Sequence, residues 1–119
     1  MRSRTHLMIG FLAFLAYGYL IHIINKSAVV PWIFGLVAVV VGSVMPDILE
    51  PAITRRHRGM CHSRGALILM VFLFGVTALT TIVSLFFAHL PEFYSASCFF
   101  LGYLFHLLAD SLTPAGLPR

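Results

Sequence analysis

Only four acidic and six histidine side chains occur in this chain of 119 residues, so each is informative. The residues with chemistry to offer are His6, Asp47, Glu50, His57, His62, His106 and Asp110. Imidazole nitrogen together with carboxylate oxygen is a donor set for a divalent metal, zinc first, with manganese or iron as alternatives. His106 and Asp110 stand four apart, so on a helix they share a face and can point at a common ion. An ordinary intrahelical hydrogen bond would also account for that pair taken alone. Cys61 and Cys98 are too far apart for a metal knuckle, and without a thiolate cluster a closed structural zinc site is disfavoured. Cys98 reads as a small apolar packing residue. Of the rest, Glu92 follows Pro91 and reads as solvated, and His22 and His89 read as interfacial rings at the opposite end of the chain's helices.

The elements that must position these residues are membrane helices. Apolar residues make up 60% of the chain and charged ones only 10%, and the mean hydropathy is +0.96. A soluble domain of this size cannot hide that much apolar surface. The expected fold is all-α, a polytopic four-transmembrane-helix bundle forming a single integral membrane domain over residues 1–119. Crossing the hydrocarbon takes ~20 residues, and four segments qualify: about 6–24, 29–45, 65–90 and 93–110. The basic N-terminus runs into the first segment without a small-residue cleavage site, so that segment is expected to stay as a helix. Pro46 and Pro51 mark the expected exit from the second. Small residues, Gly10 with Ala13 and Ala38 with Gly42, are spaced for close helix packing. Thr77, Thr80, Thr81 and Ser84 form a weakly polar seam on the third.

Basic residues set the orientation. With four spans, Arg2, Arg4, Arg55, Arg56, Arg58, Arg64 and Arg119 fall on one side and Lys26 alone on the other. That asymmetry places both termini and the central loop in the cytoplasm, in a multi-pass protein of the plasma (inner) membrane. The formal charge of +4 is therefore topological, with attraction to anionic membrane lipids as a consequence. The run Arg55-Arg56-His57-Arg58 is too short and isolated for nucleic acid. Self-association into a homo-oligomer is compatible with the composition but not specified by it.

Helix direction alternates, yet His6, Asp47, Glu50, His57, His62, His106 and Asp110 all reach the cytoplasmic face. Ionisable groups at membrane depth are costly unless paired or coordinated, so a functional site is the default reading there.

Arranged along the chain, these residues resemble a known family. The stretches are Thr5-His6 with Gly10, Gly42-Ser43-x-x-Pro46-Asp47, His57-Arg58-Gly59-x-x-His62-Ser63, and Gly102-Tyr103-x-x-His106-Leu107-x-x-Asp110 with Thr113 and Gly116. The ordered set resembles the membrane-bound metal-dependent hydrolases that include the LexA-regulated, YdjM-like inner-membrane hydrolase. Cys61 stands where that family is expected to carry threonine. A more distant likeness is to the zinc-dependent phospholipase C group. By that likeness Asp47, His62, His106 and Asp110 would hold one metal, and His6 would share Asp110 at a second.

The expectation is a membrane-embedded metal-dependent hydrolase acting at the cytoplasmic face on a phosphoester or ester of a lipid-like substrate. Asp47, His62, His106 and Asp110 are the leading ligands, with His6 and His57 next. Asp47 and Glu50 are candidates for the catalytic carboxylates, Glu50 as ligand or general base, and Arg58 for a phosphate clamp. Ser63 beside His62 is a minor candidate nucleophile. Two other classes remain open: a divalent-metal transporter or channel, and a structural or regulatory subunit with an interfacial metal.

Overall fold

A computed structural model describes residues 3–26, 30–51, 59–87, 91–113 and 116–117. Four helices account for most of them: α1 (Ser3–Ile24), α2 (Trp32–Leu49), α3 (Arg64–Phe87) and α4 (Pro91–Ser111), with a single 3₁₀ turn at Met60–His62 before α3. No strand occurs among the described residues, and the all-α class expected from composition is the one found.

The helix bounds follow from local chemistry. Pro31 precedes α2, and its carbonyl accepts the amide of Gly35 at 2.9 Å. The second segment therefore starts later than its hydropathy suggests. Pro46 was expected to end α2, but the helix runs through it to Leu49. Proline removes one amide donor without forbidding the next turn, and the amide of Glu50 reaches back to the Pro46 carbonyl at 3.0 Å. That extra turn puts Asp47 on the helix itself. Ser63 caps α3: its Oγ accepts the amide of Ala66 at 3.1 Å and donates to the Met60 carbonyl at 2.8 Å, the bonding expected of an N-cap serine. Those bonds commit the Ser63 hydroxyl to structure. Pro91 opens α4 at the position where a missing N–H costs nothing, with Glu92 in the first turn complementing the helix dipole.

α4 is the hub, packed against each of the other three helices, while α1 also lies along α2. The closest approach is backbone to backbone between α2 and α4. A Cβ at Gly42 would collide with the Phe99 carbonyl, and one at Gly102 with the Val39 carbonyl. At Gly10 on α1 a Cβ would strike Ser43 Oγ, so the small residues are where the helices close up.

Three helices, Arg4–Ile24, Trp32–Leu49 and Arg64–Phe87, are long and apolar enough to cross a membrane. They turn large apolar side chains outward, among them Leu12, Phe34, Ile68, Phe72 and Leu79. α4 has the length, 21 residues, but less apolar character. Its polar side chains Tyr94, Ser97, Tyr103, His106 and Asp110 are buried in the bundle instead of facing outward.

Away from the His–Asp end the core is aromatic. Tyr17 and Tyr94 stack at 5.8 Å and 9°, with Trp32 edge-on to Tyr94 and Phe14. Tyr17 Oη and Ser97 Oγ share a buried hydrogen bond of 2.8 Å. The polar seam on α3 is satisfied within its own helix: Thr77, Thr81 and Ser84 each donate to a carbonyl one turn back, at 2.8 Å, as buried hydroxyls in membrane helices do. Cys98 is fully buried in this core.

Candidate metal centre

Alternating helix direction brings the start of α1, the end of α2, the 3₁₀ turn and the end of α4 to one end of the bundle. His6, His62, His106 and Asp110 are buried there, and Asp47 joins them from the last turn of α2. His57 and Arg58 lie outside the described residues, as does His89. His22 is at the far end and exposed.

The imidazoles are oriented from behind. His106 Nδ1 lies 2.7 Å from the Ser43 carbonyl. A carbonyl only accepts, so Nδ1 carries the proton, and in the neutral ring Nε2 is left with its lone pair. His62 Nδ1 lies 3.2 Å from Glu50 Oε2, which assigns the same tautomer. A second hydrogen bond at the rear nitrogen is the usual support of a metal-ligating histidine.

The two Nε2 atoms converge on carboxylate oxygens. His62 Nε2 is 3.4 Å from Asp47 Oδ1 and 3.7 Å from Asp110 Oδ2. His106 Nε2 is 3.5 Å from Asp47 Oδ1 and 3.4 Å from Asp110 Oδ2. None of these is a hydrogen bond, and His106 Nε2 is a buried nitrogen without a hydrogen-bond partner. A tetrahedral zinc with bonds of ~2.0–2.1 Å sets its ligand atoms ~3.3–3.4 Å apart, close to these four separations. Lone pairs facing one another in a buried site repel unless a cation lies between them. The donor chemistry therefore suits a divalent ion at this end of the bundle, its ligands drawn from His62, His106, Asp47 and Asp110, of which Asp47, His62 and His106 have ligand atoms within 4.8 Å of one another.

His6 adds a fifth donor. Its Nε2 is 3.5 Å from Asp110 Oδ1, its ring stacks on His106 at 4.1 Å, and its buried Nδ1 makes no hydrogen bond. His6, His106 and Asp110 form one group of compatible ligand atoms, and Asp47, His62 and His106 another. His106 has one free lone pair and serves one ion. Among the described residues a second ion would rest on His6 and Asp110.

Glu50 stands behind His62 instead of facing the cluster. Its Oε1 accepts the amide of Cys61 at 3.1 Å while Oε2 holds His62. Burial pushes its carboxyl up, but the Cys61 amide and the His62 ring outweigh that and hold it below the ordinary carboxylate range. Gly59 is needed beneath it, since a Cβ there would strike the Glu50 carboxylate. Tyr103 donates to the Cys61 carbonyl at 3.2 Å, so the turn carrying His62 is tied to both α2 and α4. The supporting roles of the Ser43 carbonyl, Tyr103 and Gly59 were not anticipated from sequence. Their positions gave a signal: Ser43 is one turn before Asp47, and Tyr103 nearly one turn before His106.

A helical bundle with outward apolar faces and a buried His–Asp cluster at one end defines an all-α membrane protein. Residues 1–119 match the YdjM inner membrane protein family, and the chain belongs to it. Neither the comparison with curated proteins nor that with solved structures gave a match.

Proposed function

We propose that this protein is a metal-dependent hydrolase of the inner membrane, acting at the cytoplasmic face on a phosphoester or ester of a lipid-like substrate. The carrying observation is the convergence of His62 and His106 Nε2 on Asp47 and Asp110 oxygens, with both Nδ1 atoms already engaged behind. A divalent ion there, zinc first, would polarise an ester oxygen and lower the pKa of a water towards ~7. The chain's own contribution is to fix the imidazole tautomers, bury three of the four ligands and leave Asp47 at the opening. α4 completes a fourth span in this reading. The arginine asymmetry then supports a cytoplasmic location for both termini and for the His–Asp end.

A lipid-like substrate is supported by what surrounds the ligands. Ile48 and Leu49 follow Asp47, Met60 precedes His62 by two, and Leu112 follows Asp110 by two; all four are exposed and apolar. A mouth rimmed this way at headgroup depth suits an amphiphile better than a free polar metabolite.

A metal transporter using the same residues is the rival. The stacked Tyr17 and Tyr94 argue against it, because these buried rings fill the bundle beyond the cluster, and an ion path needs polar groups at successive depths. The test is one preparation with two assays. Vesicles containing phosphoester and acyl-ester lipids should be hydrolysed, with activity abolished by chelator and restored by zinc or manganese. Zinc flux into proteoliposomes without hydrolysis would replace this reading with the transporter.

A further inference from the structure

We infer that Asp47 is the exchangeable ligand of the centre, the one an anionic substrate oxygen displaces. This rests on the metal reading above and adds where, and by what exchange, the substrate binds. The side chains of His62, His106 and Asp110 are 5%, 0% and 6% exposed, whereas that of Asp47 is 50% exposed. The other three are also held from behind or from the side. His62 is fixed by Glu50, His106 by the Ser43 carbonyl, and Asp110 Oδ1 lies against His6. Asp47 meets only the two Nε2 atoms among the described residues, and it rides on the last turn of α2 beyond Pro46.

Charge leads to the same conclusion. Two carboxylate ligands already match the charge of a divalent ion, and Glu50 behind His62 adds a third carboxylate close by, so a further anion is disfavoured unless a carboxylate ligand leaves. Exchange of Asp47 for an anionic oxygen leaves the charge of the centre unchanged, and at half exposure Asp47 loses little by returning to solvent. Asp110, with its side chain 6% exposed, has no such route back to solvent. A catalytic metal site keeps one position open to water or substrate, and here that position is the one Asp47 guards. The ligand class is an oxyanion: a phosphoryl or carboxylate oxygen.

Cobalt(II) is the probe, because its visible absorption reports coordination without any substrate. The full chain in detergent is loaded with cobalt as wild type, Asp47→Ala, Asp47→Asn and Asp110→Ala, with helical circular dichroism recorded for each. Asp47→Ala should keep cobalt within about tenfold of wild type, and Asp110→Ala should lose about a hundredfold or more. Inorganic phosphate should shift the wild-type spectrum, and should do so at about tenfold lower concentration in Asp47→Ala, where no carboxylate competes. Asp47→Asn keeps the shape of the side chain and decides the matter if the alanine variant does not fold. Equal cobalt loss at Asp47 and Asp110 overturns the inference, as does a phosphate response that is absent or unchanged by the substitution. A wild type that binds neither cobalt nor zinc overturns the metal reading itself, which separates the two failures.

Discussion

Removing the Glu50 carboxylate should weaken the metal without removing a ligand. Glu50 makes two bonds to the 3₁₀ turn, to the His62 ring at 3.2 Å and to the Cys61 amide at 3.1 Å. A hydrogen bond to a charged group contributes about 1.5–3 kcal/mol, and a lost partner behind a ligating histidine costs about 10–100-fold in metal affinity. Glu50→Gln keeps one carbonyl acceptor and should lose about tenfold; Glu50→Ala leaves both donors unsatisfied and should approach a hundredfold. The loss is bounded because Tyr103 still holds the Cys61 carbonyl. The assay is zinc competition against a chromogenic chelator in detergent at neutral pH. Acid gives a second check. A carboxyl held below its ordinary value stabilises the fold above that ordinary value, about 4.3, and loses its contribution as pH falls through the lowered one. Protection of the Cys61 amide, with its intrinsic pH-dependent exchange divided out, should therefore be flat from neutral pH to about 5 and fall only below the ordinary range. Wild-type affinity in Glu50→Ala would refute the positioning argument. A loss as complete as that of His62→Ala would make Glu50 a ligand in its own right.

Two further outcomes are expected. Gly42→Ala drives a Cβ into the Phe99 carbonyl, costs about 1–3 kcal/mol of overpacking, and parts Ser43 from His106. Melting temperature and zinc affinity should fall together, and a change in neither would show that the α2–α4 approach is slack. His106→Ala should lose bound zinc while His22→Ala keeps it, by elemental analysis of purified protein; equal zinc content in the two would remove the case for a centre at the His6–Asp110 end.

Much of this was legible in the residues. His106 and Asp110 at one-turn spacing share a helix face in any helix, and alternating spans carry His6, Asp47 and His62 to the same end whatever the side-chain detail. Other features leave no such mark. Pro46 reads as a stop because proline usually ends helices, and only the packing of α2 along α4 shows the helix continuing to Asp47. The Ser43 carbonyl that fixes His106 is a main-chain group, and main-chain acceptors are the same at every residue. Glu50 was an open choice between ligand and base, since a carboxylate three residues past Asp47 can face either way at a helix end. The central place of α4 was hidden too, because an apolar side chain is equally at home against lipid and inside a bundle.

The stacked rings of His6 and His106 come from the first helix and the last, and this bears on biosynthesis. When α1 leaves the ribosome its histidine has no partner, and nearly the whole chain must follow before Asp110 arrives. Under the metal reading proposed above, the ligand set is complete only once α4 is in place. Metallation would then follow the docking of α4, and an apo form would precede it in every molecule. On the same reading, a cell short of zinc would accumulate inserted, helical but unmetallated protein, distinguishable from degraded chain by pulse labelling followed by late addition of the metal.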